Sequence, residues 1–164
     1  MSAWDSVAAA AAAEFSDVGN LEQVTQLVVR TFVASLLGGV IGLERELHGK
    51  EAGIRTHMLV ALGSALFVLV PLQMGLGPDA MSRVVQGLLA GVGFLCAGSI
   101  LKPHHDDRIY GLTTAAGLWM TAAIGVAAGM GREATAVLST LLALAILALE
   151  GPLRRLKRPD KTPG

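Results

Sequence analysis

Charge is what this sequence has least of. Asp, Glu, Lys and Arg make up 16% of its 164 residues, where a soluble domain carries about 25%. Lys and Arg number 13, Asp and Glu also 13, and the formal net charge is zero. A nucleic-acid binder shows a clustered positive excess, so that class is excluded. Cysteine is nearly absent. The single Cys96 can neither close an internal disulfide nor build a Cys-based zinc site. Also missing is the pairing of low hydrophobicity with high net charge that keeps a chain disordered. No nucleophile–base arrangement, phosphate-binding glycine loop or metal-ligand spacing occurs. Neither an enzyme, a cofactor nor a resident metal is expected.

What the chain does have is apolar surface and glycine. Hydrophobic residues reach 52%, mean hydropathy is +0.57, and 20 residues are Gly. A helix that crosses a bilayer needs about 20 mostly apolar residues. Five runs qualify as candidates: Val24 to Leu43, His57 to Leu76, Val84 to Leu101, Leu112 to Met130 and Ala134 to Leu149. A soluble helical bundle would need a polar stripe on each helix, yet Gly111 to Gly131 and Leu138 to Leu149 hold no charge. The short alternating segments of a membrane barrel are absent too. The expected fold is an all-α integral membrane protein, a compact bundle of five transmembrane helices in the lipid bilayer. Residues 21–151 form the membrane domain, between an N-terminal tail (1–20) and a basic tail (152–164). Met1 to Asn20 lacks the positive start of a signal peptide, and Asp5 precedes its Ala8 to Ala13 run. It reads as a poorly ordered tail or a short helix outside the bundle.

Positive residues set orientation, because cytoplasmic loops are rich in Lys and Arg. With five spans, one side holds Arg45, Lys50 and Arg55, then Lys102 and Arg108, then Arg154, Arg155, Lys157, Arg158 and Lys161. The other side holds Arg83 and Arg132. This bias puts the N-terminus outside and the C-terminus in the cytoplasm.

Lipid tails are as apolar as Leu, so helices associate in a membrane through close backbone contact at small residues four apart. Gly38 with Gly42, Gly87 with Gly91, and Gly125 with Gly129 have that spacing. They are the expected packing positions, and the pattern leaves open whether copies form a homo-oligomer.

Three segments together carry a resemblance. Gly42-Leu43-Glu44-Arg45-Glu46 leads to Gly53-Ile54-Arg55-Thr56-His57. Gly91 to Ile100 reads GVGFLCAGSI. Gly111-Leu112-Thr113-Thr114-Ala115-Ala116 continues through Trp119 to Gly125. In this order and spacing they resemble the MgtC/SapB family of bacterial inner-membrane proteins, over the stretch from Leu27 to Gly131. The resemblance implies a polytopic inner-membrane protein linked to growth at low magnesium and, in pathogens, to stress adaptation inside macrophages. It implies a regulator, and for some members an action on the proton-translocating ATP synthase. Larger members add a soluble cytoplasmic domain after the last span, and here only a short tail follows Gly151. Cys96 stands where relatives often carry Gly, which implies a slightly wider helix crossing there.

Several polar residues stand out against the apolar background. Glu44, Arg45, Glu46, Arg55 and Thr56 gather at the cytoplasmic end of the first helical hairpin. They form either a mouth for an ion, lipid head group or partner, or an interfacial clamp, with Glu44 and Arg55 expected to pair. Arg30 lies within the first span. There a charge costs at least about 2.5–3.5 kcal/mol unless it faces the bundle or snorkels to the interface. Its place in the family segment favours a functional role. Gln86 is an isolated amide expected to hydrogen-bond between helices. Thr113 and Thr114 open the fourth span, where their hydroxyls suit capping. His104, His105, Asp106 and Asp107 read as a solvated loop rather than an ion site, and the Cys96 thiol as inert. The leading expectation is a non-enzymatic regulator or accessory factor. Its rival is a small transporter or channel, which would need polar groups near the midplane, and a purely structural membrane protein is a third.

Overall fold

The computed structural model describes residues 2–14, 20–100 and 109–149. These residues form six α-helices and no strand. They are α1 (Ala3–Glu14), α2 (Leu21–Leu47), α3 (Ile54–Gln73), α4 (Pro78–Gly98), α5 (Leu112–Gly129) and α6 (Glu133–Ala148). Uninterrupted apolar sequence makes helix the only local choice, because a helix satisfies its own backbone groups where water cannot. Punctuation follows the usual chemistry. The Asn20 side chain accepts the Gln23 amide at 2.8 Å and starts α2. Pro78 opens α4, where a missing N–H costs nothing.

Four helices, α2 to α5, are long and apolar enough to cross a membrane. Large apolar side chains stay exposed along them, as on Phe32, Phe67, Phe94 and Leu59. This supports a multi-pass membrane protein. The expected fifth span comes out as a shorter apolar helix. The 16 residues of α6 cover about 24 Å, against about 30 Å of hydrocarbon. The first span is longer than expected. It runs through Glu44, Arg45 and Glu46 to Leu47, so residues expected in a loop form the last helical turns. α1 is helical, fully exposed and in contact with no other helix.

α3 is the axis of the bundle. It packs against α2 on one side and α5 on the other, while α6 lies against α5 and α2. Buried Ala34, Ala61, Ala65, Ala128, Ala136 and Ala143 fill the core beside Ile41 and Ile124. Small side chains there let backbones approach directly. A methyl group on Gly38 would stand 2.6 Å from the His57 carbonyl oxygen, and one on Gly42 would stand 2.6 Å from Ile54 Cα. On the opposite face a methyl on Gly125 would stand 2.9 Å from Ala61 Cα, and one on Gly129 2.8 Å from Ala65 Cα.

Gly87 and Gly91 depart from the expectation of close packing. Nothing stands within 4 Å of where their Cβ atoms would be. The reason is that α4 meets the bundle through another face, where Met81 and Val92 are buried. A link to α5 comes from Cys96, whose thiol donates to the Ala115 carbonyl at 3.1 Å.

Gly42→Ala or Gly125→Ala should therefore lower stability by about 1–3 kcal/mol, the usual cost of overpacking. Gly87→Ala and Gly91→Ala should be neutral or stabilise by up to about 1 kcal/mol through helix propensity. Unfolding of the purified variants in mild detergent checks both.

Candidate functional site at the end of the α2–α3 hairpin

The last turn of α2 carries a charge pair that the bundle largely encloses. Arg45 is fully buried and the Glu44 side chain is 16% exposed. The guanidinium grips the carboxylate with two donors: Nε bonds Oε2, and Nη2 lies 2.8 Å from Oε1. Such a side-on fork is the strongest geometry available to this pair. Glu44 Oε1 also lies 3.1 Å from Nδ1 of His48, one turn on. The cation sits in the last turn of α2, where the helix dipole favours positive charge.

Glu44 and Arg55, expected to pair, do not form an ion pair. Arg55 is exposed at the start of α3, and the carboxylate that crosses to α3 is a different one. Oε2 of Glu46 accepts the Ile54 amide at 3.0 Å, which satisfies one orphan donor of α3. Helix α2 extends far enough that Glu46, not Glu44, reaches across the turn. Gly53 is the position that permits this approach, since a Cβ there would meet the Glu46 carboxylate. Thr56 is exposed beside Arg55.

His57 is the residue that sequence reasoning missed. Its ring is completely buried one turn into α3. Nδ1 lies 3.0 Å from the Gly53 carbonyl, which makes that nitrogen the donor and Nε2 a bare acceptor. Nε2 is buried with no hydrogen-bond partner. It faces α5, where a Cβ on Gly117 would stand 3.7 Å away. The charges of Arg45 and Glu44 act on the same ring. A signal was present: His57 shares the interior stripe of α3 with Ala61, Ser64, Ala65 and Val68, and it is the one titratable side chain on it. An unsatisfied buried polar atom costs about 1–3 kcal/mol, and such atoms concentrate where a structure does something.

Beside this cluster lies a cavity of about 850 Å³ between the hairpin turn, the end of α4 and the start of α5. Lys50, Glu51, Thr56, Ser99, Thr113 and Thr114 supply its polar wall. Thr113 is exposed and Thr114 is buried; neither hydroxyl makes a recorded capping bond, and α5 starts without a side-chain cap. Gly111 makes the entry to α5 with φ +89°, hard against the Ser99 carbonyl.

The other sequence candidates fall elsewhere. Arg30 belongs to the opposite end of the bundle. Its Nη1 lies 3.4 Å from the Gly129 carbonyl, where it complements the negative end of α5. Gly131, at φ +72°, leaves the guanidinium its room, since a Cβ there would stand 2.6 Å from Nη2. Gln86 is exposed on α4 and has no hydrogen-bond partner among the described residues, because its face of α4 has no neighbouring helix. His104, His105, Asp106 and Asp107 lie outside the described residues. Among the described residues no group of three or more His, Cys, Asp or Glu side chains converges on one point.

A profile of the MgtC family matches residues 31–156. Protein SrpB of Synechococcus elongatus is 46% identical, over 80% of this chain and 77% of its own length. Protein YhiD of Escherichia coli strain K12, named as a candidate magnesium transporter, is 39% identical over 74% of this chain and 59% of its own length. Protein MgtC of Brucella abortus strain 2308 is 43% identical over 73% of this chain. The chain spans about half of that last relative's length, 49%. No solved structure matches.

Glu44→Gln should destabilise the protein by about 3–5 kcal/mol, because it withdraws the carboxylate that holds a buried guanidinium. Arg45→Met combined with Glu44→Leu should cost less than Glu44→Gln alone. Denaturation of the three proteins in detergent decides; equal stability of Glu44→Gln and wild type would contradict the pair's role.

Proposed function

The chain belongs to the MgtC family, and from that premise we propose that it is a non-enzymatic regulator in magnesium or membrane-energy homeostasis. It acts in the bacterial inner membrane by contact with another membrane protein, and the resemblance offers the ATP synthase as one such partner. The N-terminus lies outside and the C-terminus in the cytoplasm. α6 makes a short fifth crossing, with the bilayer thinned around it. In the sequence, Arg45, Lys50, Arg55, Lys102, Arg108 and the five basic residues of the tail alternate with Arg30, Arg83 and Arg132, and this bias supports the orientation.

One observation carries the reading. Buried charge and imidazole collect at a single end, in Arg45 with its carboxylate partner Glu44 and in His57, while the middle of the bundle is closed by backbone contact and, among the described residues, buries only the Ser64, Thr121 and Thr140 hydroxyls. In that middle, the Thr121 and Thr140 hydroxyls bond the Gly117 and Ala136 carbonyls of their own helices at 2.9 and 2.8 Å. Among the described residues no carboxylate or other charged side chain is buried in that middle to hold an ion in transit. The exposed rim of Glu46, His48, Arg55 and Thr56 suits recognition by a partner, held on a rigid base. A transporter is the second reading, favoured by the name of the Escherichia coli relative.

Growth of a deletion strain in limiting and ample magnesium tests the proposal. Wild type should restore growth at low magnesium. Arg55→Ala, on an exposed side chain and so harmless to folding, should restore it at most partly at equal membrane abundance. Equal growth of the deletion strain in both media would contradict the magnesium role.

A further inference from the structure

The cavity beside the hairpin has features that the regulatory reading does not use. Its polar end is the start of α5. Residues Leu112, Thr113 and Thr114 line it, and their amides belong to the first helical turn, which has no intrahelical acceptors. No side chain caps that turn. Helix starts of this kind attract phosphate. A second, independent feature points the same way. Thr114 is only 7% exposed, it lines the cavity, and its hydroxyl has no partner among the described residues. A hydroxyl that opens onto a cavity from a largely buried residue, with no protein partner, is one that a ligand would satisfy.

The other end of the cavity is apolar, with Val60, Phe94, Leu95 and Leu118 in its wall. Val60 and Leu95 also line a second cavity of about 650 Å³ between α3 and α4. The two therefore adjoin. The second has a floor of Gly63, Gly87 and Gly91 and walls of Leu59, Phe67 and Val92. It is a largely apolar trough between α3 and α4, with Ser64 and Arg83 as its polar lining. The glycines that α4 does not use for packing are the ones that open it.

We propose that this seam binds a membrane phospholipid. The phosphate sits at the start of α5, where Thr114 and the first-turn amides donate to it, and an acyl chain lies in the α3–α4 trough. Among the described residues, the charges on the polar wall are one cation and one anion, Lys50 and Glu51. That balance matches a zwitterionic head group, phosphate toward Lys50 and ammonium toward Glu51, better than a purely anionic one. The proposal rests on the helices lying in a bilayer and not on any regulatory role, so the growth experiment and the binding experiment fail separately.

Native mass spectrometry of the full chain, extracted from membranes in mild detergent, tests it. Delipidated protein is then titrated with phosphatidylethanolamine, phosphatidylglycerol or inorganic phosphate. Wild type should retain one phosphatidylethanolamine per chain and rebind it in preference to phosphatidylglycerol. Thr114→Val, which keeps the shape and removes the hydroxyl, should weaken rebinding roughly tenfold, the value of one hydrogen bond to a charged group. Gly91→Leu should weaken it by filling the trough, at an unchanged melting temperature, since nothing stands within 4 Å of that site. Retention by both variants equal to wild type would overturn the proposal. So would equal affinity for the two lipids, or binding of inorganic phosphate alone with the same dependence on Thr114.

Discussion

The structure depends on one constraint: α3 is held by its backbone between two glycine faces. Gly38 and Gly42 press on it from α2, Gly125 and Gly129 from α5, each at a distance that admits no methyl group. Within lipid the hydrophobic effect does not sort one apolar helix from another, so this steric fit is what selects the partners and their register. The alanine-rich core follows from it. Where the glycines meet α3 only small side chains fit, and most large apolar side chains, Phe32, Phe67 and Phe94 among them, are turned outward.

The same fit explains the chemistry at the hairpin end. Gly42 against Ile54 brings the last turn of α2 onto the first turn of α3, which puts Arg45 and His57 into a dry interior and leaves Glu46 to cap α3. A buried guanidinium is tolerable there only because Glu44, next in sequence, forks onto it. At the other end Arg30 closes α5 in a comparable way, as a cation on a helix C-terminus. α4 stands apart from this arrangement. Its glycines face open space, and its tie to α5 runs through the Cys96 thiol. The molecule thus has a closely packed part, α2, α3 and α5, and a less closely packed α4 with a trough beside it.

Much of this was legible in the sequence. Apolar length gave the positions of α2 to α5, and the spacing of Gly38, Gly42, Gly125 and Gly129 matched real backbone contacts. Gly87 and Gly91 have the same spacing and no contact, because spacing says where a helix can be approached and not whether a neighbour arrives. α6 falls within one residue of the expected run, and its 16 residues are simply few for a crossing. Pairing Glu44 with Arg55 assumed a loop where the chain stays helical, and one further turn rotates Glu46 into that place. His57 closes one of the family segments, yet it escaped attention as a site since a lone histidine in an apolar run has no ligand or catalytic spacing. Only the interior stripe it shares with Ala61 and Val68 marks it. The likeness to the MgtC/SapB family was visible in three short blocks, and the family profile matches across them.

Closure of the middle of the bundle is the claim on which the regulatory reading turns, and ion flux tests it most directly. The purified chain would be reconstituted into proteoliposomes loaded with a magnesium-sensitive dye, with an inward magnesium gradient. The account predicts entry no faster than in protein-free vesicles. Entry that scales with the amount of inserted protein would contradict it and return the transporter reading to first place.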